Sequence, residues 1–273
     1  MAKKKANAQA GKDLATKAAQ ELVAQMEGYG QDGYEDATQD SFAVPFLRIL
    51  QQNSPQLLEE SDAYLDGAKA GHFFNTLTGD VYGKTVQVIN CHFGRDFIEW
   101  RPDRGGFVMS HGDDERIRQR IVEVSEKNEQ IMDNGNVLQE SRNHFILLPD
   151  RLEEGPMIFS LVSTGIRHSK RWMSMMRRLV NPVTKKVNNP IFLGVWELST
   201  VLNEGDEGNW YQIGSKSAGK YEFSRLINAE EFEAVKAARD LLASGVAKVD
   251  YAAADGAQGV EGDDDAPDSE PPF

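Results

Sequence analysis

From about Ser41 onward the chain breaks into short apolar runs separated by turn residues. "GHFFNTLTGDVYGKTVQVINCHFGRDFIEWRPDRGGFVMSHG" reads as a meander of strands, because β-branched and aromatic residues recur between Gly and Asp punctuation. Lys84–Cys91 and Asp96–Arg101 are two of its strands, joined by a short turn around Gly94, and Gly105 and Gly106 turn the chain again before "FVMS". "HFILLP", "PMIFSLVST", "NPIFLGVWELSTV" and "NWYQIG" are further strands of the buried or half-buried kind.

Three segments after the meander have helical spacing instead. "DDERIRQRIVEVSEKNEQIMDNG" places Ile117, Ile121, Val124 and Ile131 on one stripe, with Asp113 or Asp114 as cap and "DNG" as stop. "SKRWMSMMRRLV" repeats its apolar residues at Trp172, Met175, Met176 and Leu179. "NAEEFEAVKAARDLLASG" opens with Asn228 followed three residues later by Glu231, the pattern of a capping box, and Gly245 fits its C-terminal stop. Upstream, Asp13–Glu27 can form one helix, followed by a Gly- and Asp-rich linker.

These elements predict a mainly β, α+β fold: a small β-barrel with helical insertions, which strand count does not separate from a sandwich. The expected organisation is a flexible segment over 1–40, a nucleic-acid-binding core over 41–227, a C-terminal helix over 228–246 and a disordered acidic tail over 247–273.

Charge sharpens this picture. The 273 residues carry a formal net charge of -13, which spread evenly would argue against a polyanionic partner. It is not spread evenly. Ala252–Phe273 holds seven acids and no base, whereas Gly155–Trp196 holds no acid and seven bases: Arg167, Lys170, Arg171, Arg177, Arg178, Lys185 and Lys186. A surface helix ordinarily mixes signs, because opposite charges at i, i+4 support it. Like charges that accumulate repel one another, and an anionic ligand relieves that repulsion. The bland alternative is an amphipathic helix with solvated charges outside, which explains the apolar stripe and leaves the missing acids unexplained.

Aromatic residues lie among the bases. Single-strand binding needs cations along the phosphates and exposed rings on which bases stack at ~1–3 kcal/mol each. The expected DNA-contacting set is the seven bases with Arg95, Arg101 and Lys216, and Trp172, Trp100 and Phe93 are the candidate stacking rings. Alternation along "FGRDFIEWR" keeps all its rings from being exposed at once, since any single aromatic is by default core.

Other chemistry finds little footing. "GDVYGKT" has three residues between its glycines where a phosphate loop needs four, and it runs into a strand rather than a helix, so a turn is the better reading. The five histidines show no i, i+3 or i+4 pairing, and the single cysteine, Cys91, supports neither an internal disulfide nor a thiolate zinc site. No enzyme activity, cofactor or metal is expected. "MAKKKANAQAGKD" has lysines with no apolar stretch behind them, and no run of about 18 apolar residues occurs, so neither a secretory signal nor a membrane span is expected. Cytoplasmic localisation follows, in the host cytoplasm if the protein is phage-encoded.

The tail has its own logic. "GDDDAPDSEPPF" ends on Pro271, Pro272 and Phe273, and a ring on a mobile chain gains nothing from folding. It suits an anchor that enters a partner's apolar pocket while acids upstream meet a basic surround. "DDDAP…PPF" resembles the acidic C-terminal tip of bacterial single-stranded DNA-binding proteins and the acidic, Phe-terminated tail of T7-type phage single-stranded DNA-binding proteins. The likeness covers about the last dozen residues, and "DSEP" intervenes where the bacterial tip is more compact. It implies that Asp263, Asp264, Asp265 and Phe273 recruit polymerase, primase-helicase or repair proteins, and that the tail covers the protein's own DNA groove when DNA is absent. The same resemblance implies an OB-like core for the barrel.

Together these features predict a phage single-stranded DNA-binding protein of a replication and recombination module, coating DNA without sequence preference; homo-oligomer formation is compatible with it. The rivals are a strand-annealing recombination mediator, a DNA-mimicking inhibitor of a host enzyme, and a nuclease whose acids meet only in the fold.

Overall fold

A computed structural model describes residues 44–102, 105–126, 128–205, 208–214, 221–243 and 251. The chain divides into two units, Met1–Ser41 and Phe42–Phe273, and the described residues belong to the second. The expected Asp13–Glu27 helix, Lys216, Gly245 and the acidic tail with Asp263, Asp264, Asp265 and Phe273 lie outside the described residues.

The described part is mostly β. In chain order it contains β1 (Leu47–Ile49), β2 (Phe73–Asn75), β3 (Val81–Gly83), β4 (Thr85–Trp100), β5 (Phe107–Ser110), β6 (Ile121–Val124), β7 (Gln130–Met132), β8 (Val137–Leu147), β9 (Met157–Val162), α1 (Ile166–Arg178), β10 (Gly194–Gly205), β11 (Gly208–Ile213), β12 (Tyr221–Leu226) and α2 (Ala229–Ala243). The first three strands form a small antiparallel sheet. The others form a curled antiparallel sheet, a half-barrel, along the path β11-β10-β4-β8-β7-β6, with β12 also on β10, β5 on β4 and β9 on β8.

Several links join the sheets. A parallel bridge pairs Phe46 with Ile158 beside β9. At the other end Gln51 clamps β11: its Nε2 donates to the Tyr211 carbonyl at 3.0 Å, and its Oε1 accepts from the Tyr211 amide at 2.8 Å.

The central strands read as near-continuous apolar runs because both faces of the sheet are covered. Successive side chains alternate faces. Val86 and Val88 of β4, Ile146 of β8, Phe159 of β9 and Trp196 of β10 join Trp172 and Met176 of α1 in one core. Their sequence neighbours Ile89, Cys91, Leu147 and Val195 meet Val235 and Ala238 of α2 on the other face. The two helices thus sit on opposite faces of one sheet.

Three sequence expectations need correction. The expected turn at Gly94 is absent: β4 runs straight through, with Gly94 opposite Asn143 and the ladder to β8 continuing to Trp100 and Val137. The irregularity falls earlier, as a register shift between Asn90 and His92. The expected 113–135 helix is instead a 3-10 helix over Glu115–Arg120 followed by strands β6 and β7. Asp114 caps that short helix, accepting from the Arg116 amide at 3.0 Å. β-Branched Ile121, Val122 and Val124 favour the strand, and Gly135, at φ 84, turns β7 into β8. Ile117 and Ile121 still face one cluster, with Phe97, Met132 and Leu138, which is why they mimic a helical stripe. "YEFSRL", given no element by the sequence pattern, is β12.

The α2 capping box forms as written: the Glu231 amide donates to Asn228 Oδ1 at 2.9 Å, and the Asn228 amide donates to Glu231 Oε2 at 2.8 Å. "GDVYGKT" contains β3 and leads into β4, so no helix N-terminus follows it.

Candidate nucleic-acid interface

α1 is anchored by its inner face. Ser169, Trp172 and Met176 are buried, and Trp172 is 0% exposed. Burying a ring of that size is worth roughly 4–6 kcal/mol of transfer free energy. Arg167, Lys170, Arg171, Arg177 and Arg178 are all exposed. With ~100° of rotation per residue they fall within about 120° of helix circumference, opposite Trp172. Among the described residues no carboxylate forms an ion pair with any of them. Arg177 and Arg178 lie in the last turn, where the helix dipole favours cations. That account fails at the other end: the first turn carries Arg167, with no acid and no side-chain cap.

The loop after α1 extends the charge. The Asn181 side chain accepts from the Val183 and Thr184 amides at 2.9 and 3.0 Å. The Asn181 amide reaches the Lys186 carbonyl at 2.8 Å, and the Asn188 amide returns to the Arg177 carbonyl at 3.2 Å. Exposed Lys185 and Lys186 therefore sit on a closed loop tied to the C-terminal end of the same helix. All seven bases of the acid-free stretch belong to one helix face and its adjoining loop.

Arg167 is also positioned. Its Nε donates to His168 Nε2 at 3.2 Å, while His168 Nδ1 meets the Tyr221 hydroxyl. Nε2 is thus an acceptor, which requires a neutral ring, and burial followed by the charges of Arg167 and Arg171 lowers the His168 pKa accordingly. Gly214 makes room for this contact: at φ +92, a Cβ there would lie 2.8 Å from the Tyr221 hydroxyl.

Beside α1 runs a groove of about 810 Å³ against β12. Arg171 and Arg178 border it, and Met175, Leu179, Trp196 and Phe223 line it, with Glu222 as the acid in its wall. Phe223 is half-buried, so it offers a ring edge next to two guanidiniums.

The other expected contacts fare less well. Trp172 is core, its ring 4.7 Å from His144, because neighbours on a helix point about 100° apart and Arg171 takes the outer position. Trp100 is 9% exposed and packs edge-on against Phe107, so it too is no stacking platform. Phe93 is half-buried against His144. Arg95 is neutralised by Asp113 and Glu115 and is not a free cation. Arg101 is exposed, at the far end of β4. The groove residue Phe223 was missed because its strand was missed.

A Ser-His-Asn chain also lies in the fold: Ser169 Oγ is 2.8 Å from His144 Nε2, and Asn90 Nδ2 is 2.8 Å from His144 Nδ1. All three residues are 0% exposed, so no substrate reaches them, and burial lowers the His144 pKa to about 3. Cys91 is likewise sealed, its thiol pushed up to about 12 by burial. Among the described residues no group of three His, Cys, Asp or Glu is placed to hold a metal, and no helix is long and apolar enough to cross a membrane.

Fold and surface define a mainly β, half-barrel protein with one strongly cationic helix. Residues 10–248 match the Pam3 phage gp34-like proteins, and the chain belongs to that family. The family's name points to a bacteriophage origin. No curated protein and no solved structure matches the chain.

Proposed function

We propose that this protein binds single-stranded DNA, gripping the phosphates with the outer face of α1 and its adjoining loop. One observation carries the reading: seven exposed bases share a helix face and one loop, and among the described residues no carboxylate pairs with them. A basic stripe of this kind is the electrostatic footprint of polyanion binding. The curled antiparallel sheet beneath is compatible with an OB-like barrel, the architecture that the resemblance of the tail implies. The binding is non-catalytic and sequence-tolerant in this proposal. The acidic tail, with Asp263, Asp264, Asp265 and Phe273, recruits replication or recombination proteins.

The test is a titration of labelled oligo-dT followed by anisotropy at several salt concentrations. Neutralising up to seven phosphates gives a slope of log K against log salt of about -3 to -5 for a single strand. No binding even at ~50 mM salt overturns the reading and favours a DNA-mimicking interaction protein.

A further inference from the structure

A second concavity lies at the N-terminal end of α1, away from the groove beside β12. It encloses about 450 Å³, within the range of sites that hold small ligands. Its wall includes Thr164 and Gly165, the residues that lead into α1, together with Trp210, Tyr211 and Gln212 of β11 and Trp100 at the end of β4. Among the described residues no Asp, Glu or Lys lines it, and the charged one that does is Arg48, whose guanidinium lies 5.2 Å from the centre of the Phe46 ring.

Three of these lining residues carry a buried N–H without an acceptor among the described residues: Trp100 Nε1, Trp210 Nε1 and Gln212 Nε2. Buried donors normally find partners, so three unmet ones among the residues lining one cavity call for an explanation. Gln212 is 6% exposed and its Oε1 accepts from Thr164 Oγ1 at 3.4 Å, while its Nε2 has no acceptor among the described residues. Trp210 is half-buried and shares a strand face with Gln212, whereas the Tyr211 ring lies on the other face, against Gly71. The backbone tightens here as well: Ser163, just before this wall, is held at φ 46, an unusual conformation for a residue with a side chain.

Neutral N–H donors beside aromatic faces suit a flat ligand rich in carbonyl acceptors. They suit a phosphate poorly, since phosphates are taken by cationic forks and lysines. We infer that this cavity receives one unpaired nucleobase of the bound strand, with carbonyl-bearing thymine or uracil as its best match. The inference rests on the single-strand reading above. A strand running along the α1 bases from Lys185 towards Arg167 arrives at Thr164 and Gly165, which is where the cavity begins.

The experiment compares three labelled 15-mers on the full chain: oligo-dT, oligo-dA, and oligo-dT with abasic spacers throughout. Wild type, Trp210→Phe and Gln212→Leu are titrated by anisotropy at one salt concentration, after thermal melts show each variant folded. Wild type is expected to favour oligo-dT over the abasic strand by about 10-fold, consistent with base stacking and donor matching. Trp210→Phe keeps an aromatic ring and Gln212→Leu keeps the side-chain volume, and each removes a donor, so each should shrink that preference several-fold while leaving abasic-strand affinity and the salt slope unchanged. Binding of all three strands with equal affinity by wild type, or a preference untouched in both variants, overturns the cavity assignment and leaves phosphate binding by α1 standing. Failure of wild type to bind any strand overturns the single-strand reading itself.

Discussion

α1 and α2 cover opposite faces of the same sheet and solve the problem of helix stability differently. α2 is self-sufficient at its surface. A capping box starts it, Arg225 pairs with Glu231 at 2.6 Å, and Lys236 pairs with Glu233 at 2.5 Å. α1 has no side-chain cap, no acid in its first turn and no acid on its outer face, where five bases surround Ser174. It is held from below, by Trp172, Met176 and Ser169. A helix whose exposed face makes no ion pair among the described residues has that face free for another use. The difference teaches where to look for function: at the surface whose composition the fold does not need.

The contrast breaks most sharply at Trp172. Trp172→Ala removes the anchor of α1 and leaves a cavity against His144, at an expected cost of about 3–5 kcal/mol in urea unfolding. Next in size is the surface itself. Replacing Arg167, Lys170, Arg171, Arg177 and Arg178 together by Gln should weaken oligo-dT binding by about 100-fold at ~100 mM salt and flatten the salt slope by about 3.5. Folding stability should hold or rise slightly, because the like-charge pairs of Arg167 with Lys170 and Arg171 are relieved at a few tenths of a kcal/mol each, roughly. The matched change on α2, Lys236→Gln with Arg239→Gln, should leave oligo-dT affinity within about twofold if the division of roles holds. Equal losses from both helices would erase the distinction.

Much of this was legible in the sequence, for identifiable reasons. α1 and α2 show because their apolar spacing is helical and one of them carries a capping box. The strands of the sheet centre show because burial on both faces makes them continuously apolar. The stretch 113–135 misleads because a 3-10 turn followed by a strand can also bring Ile117 and Ile121 to one cluster, and periodicity alone does not separate the cases. The seven bases are legible as a charge run, since missing acids need no geometry to be noticed. The rings are not. Trp172 follows Arg171 in sequence but points about 100° round the helix from it, into the core, whereas Phe223 and Trp210 reach their grooves only through pairings with β10. Three unmet N–H groups around one cavity have no sequence signature at all.

A smaller effect separates the buried side of α1 from its surface through pH. His144 sits against Trp172 and Ser169, and burial, followed by the charge of Arg142, lowers its pKa from 6.5 to about 3. Between those values the unfolded chain takes up a proton that the folded chain refuses. Stability is therefore full above pH 6.5 and falls as pH drops, by up to about 1.4 kcal/mol per unit, or about 2 kcal/mol from pH 6.5 to 5. His72, His92 and His168 are shifted down as well and act in the same direction. Chemical denaturation of wild type and His144→Gln across that range checks it: the variant should lose less on acidification.

The smallest effect belongs to α2 and tests whether its surface is truly structural. Glu231 is 2% exposed at the carboxylate and accepts from both Arg225 and the Asn228 amide. Arg225 is the chief reason its carboxyl titrates below the usual value of 4.5. Glu231→Gln keeps an acceptor for Asn228 and loses the ion pair, at an expected cost of about 1–2 kcal/mol, tempered because Arg225 is itself partly exposed. The stabilisation from the carboxylate is present above pH 4.5 and disappears as pH falls through its lower folded pKa. The wild-type advantage over Glu231→Gln should therefore shrink in acid, while oligo-dT affinity at neutral pH stays the same in both. A variant that lost DNA affinity without losing stability would assign α2 to the binding surface and remove the asymmetry between the helices.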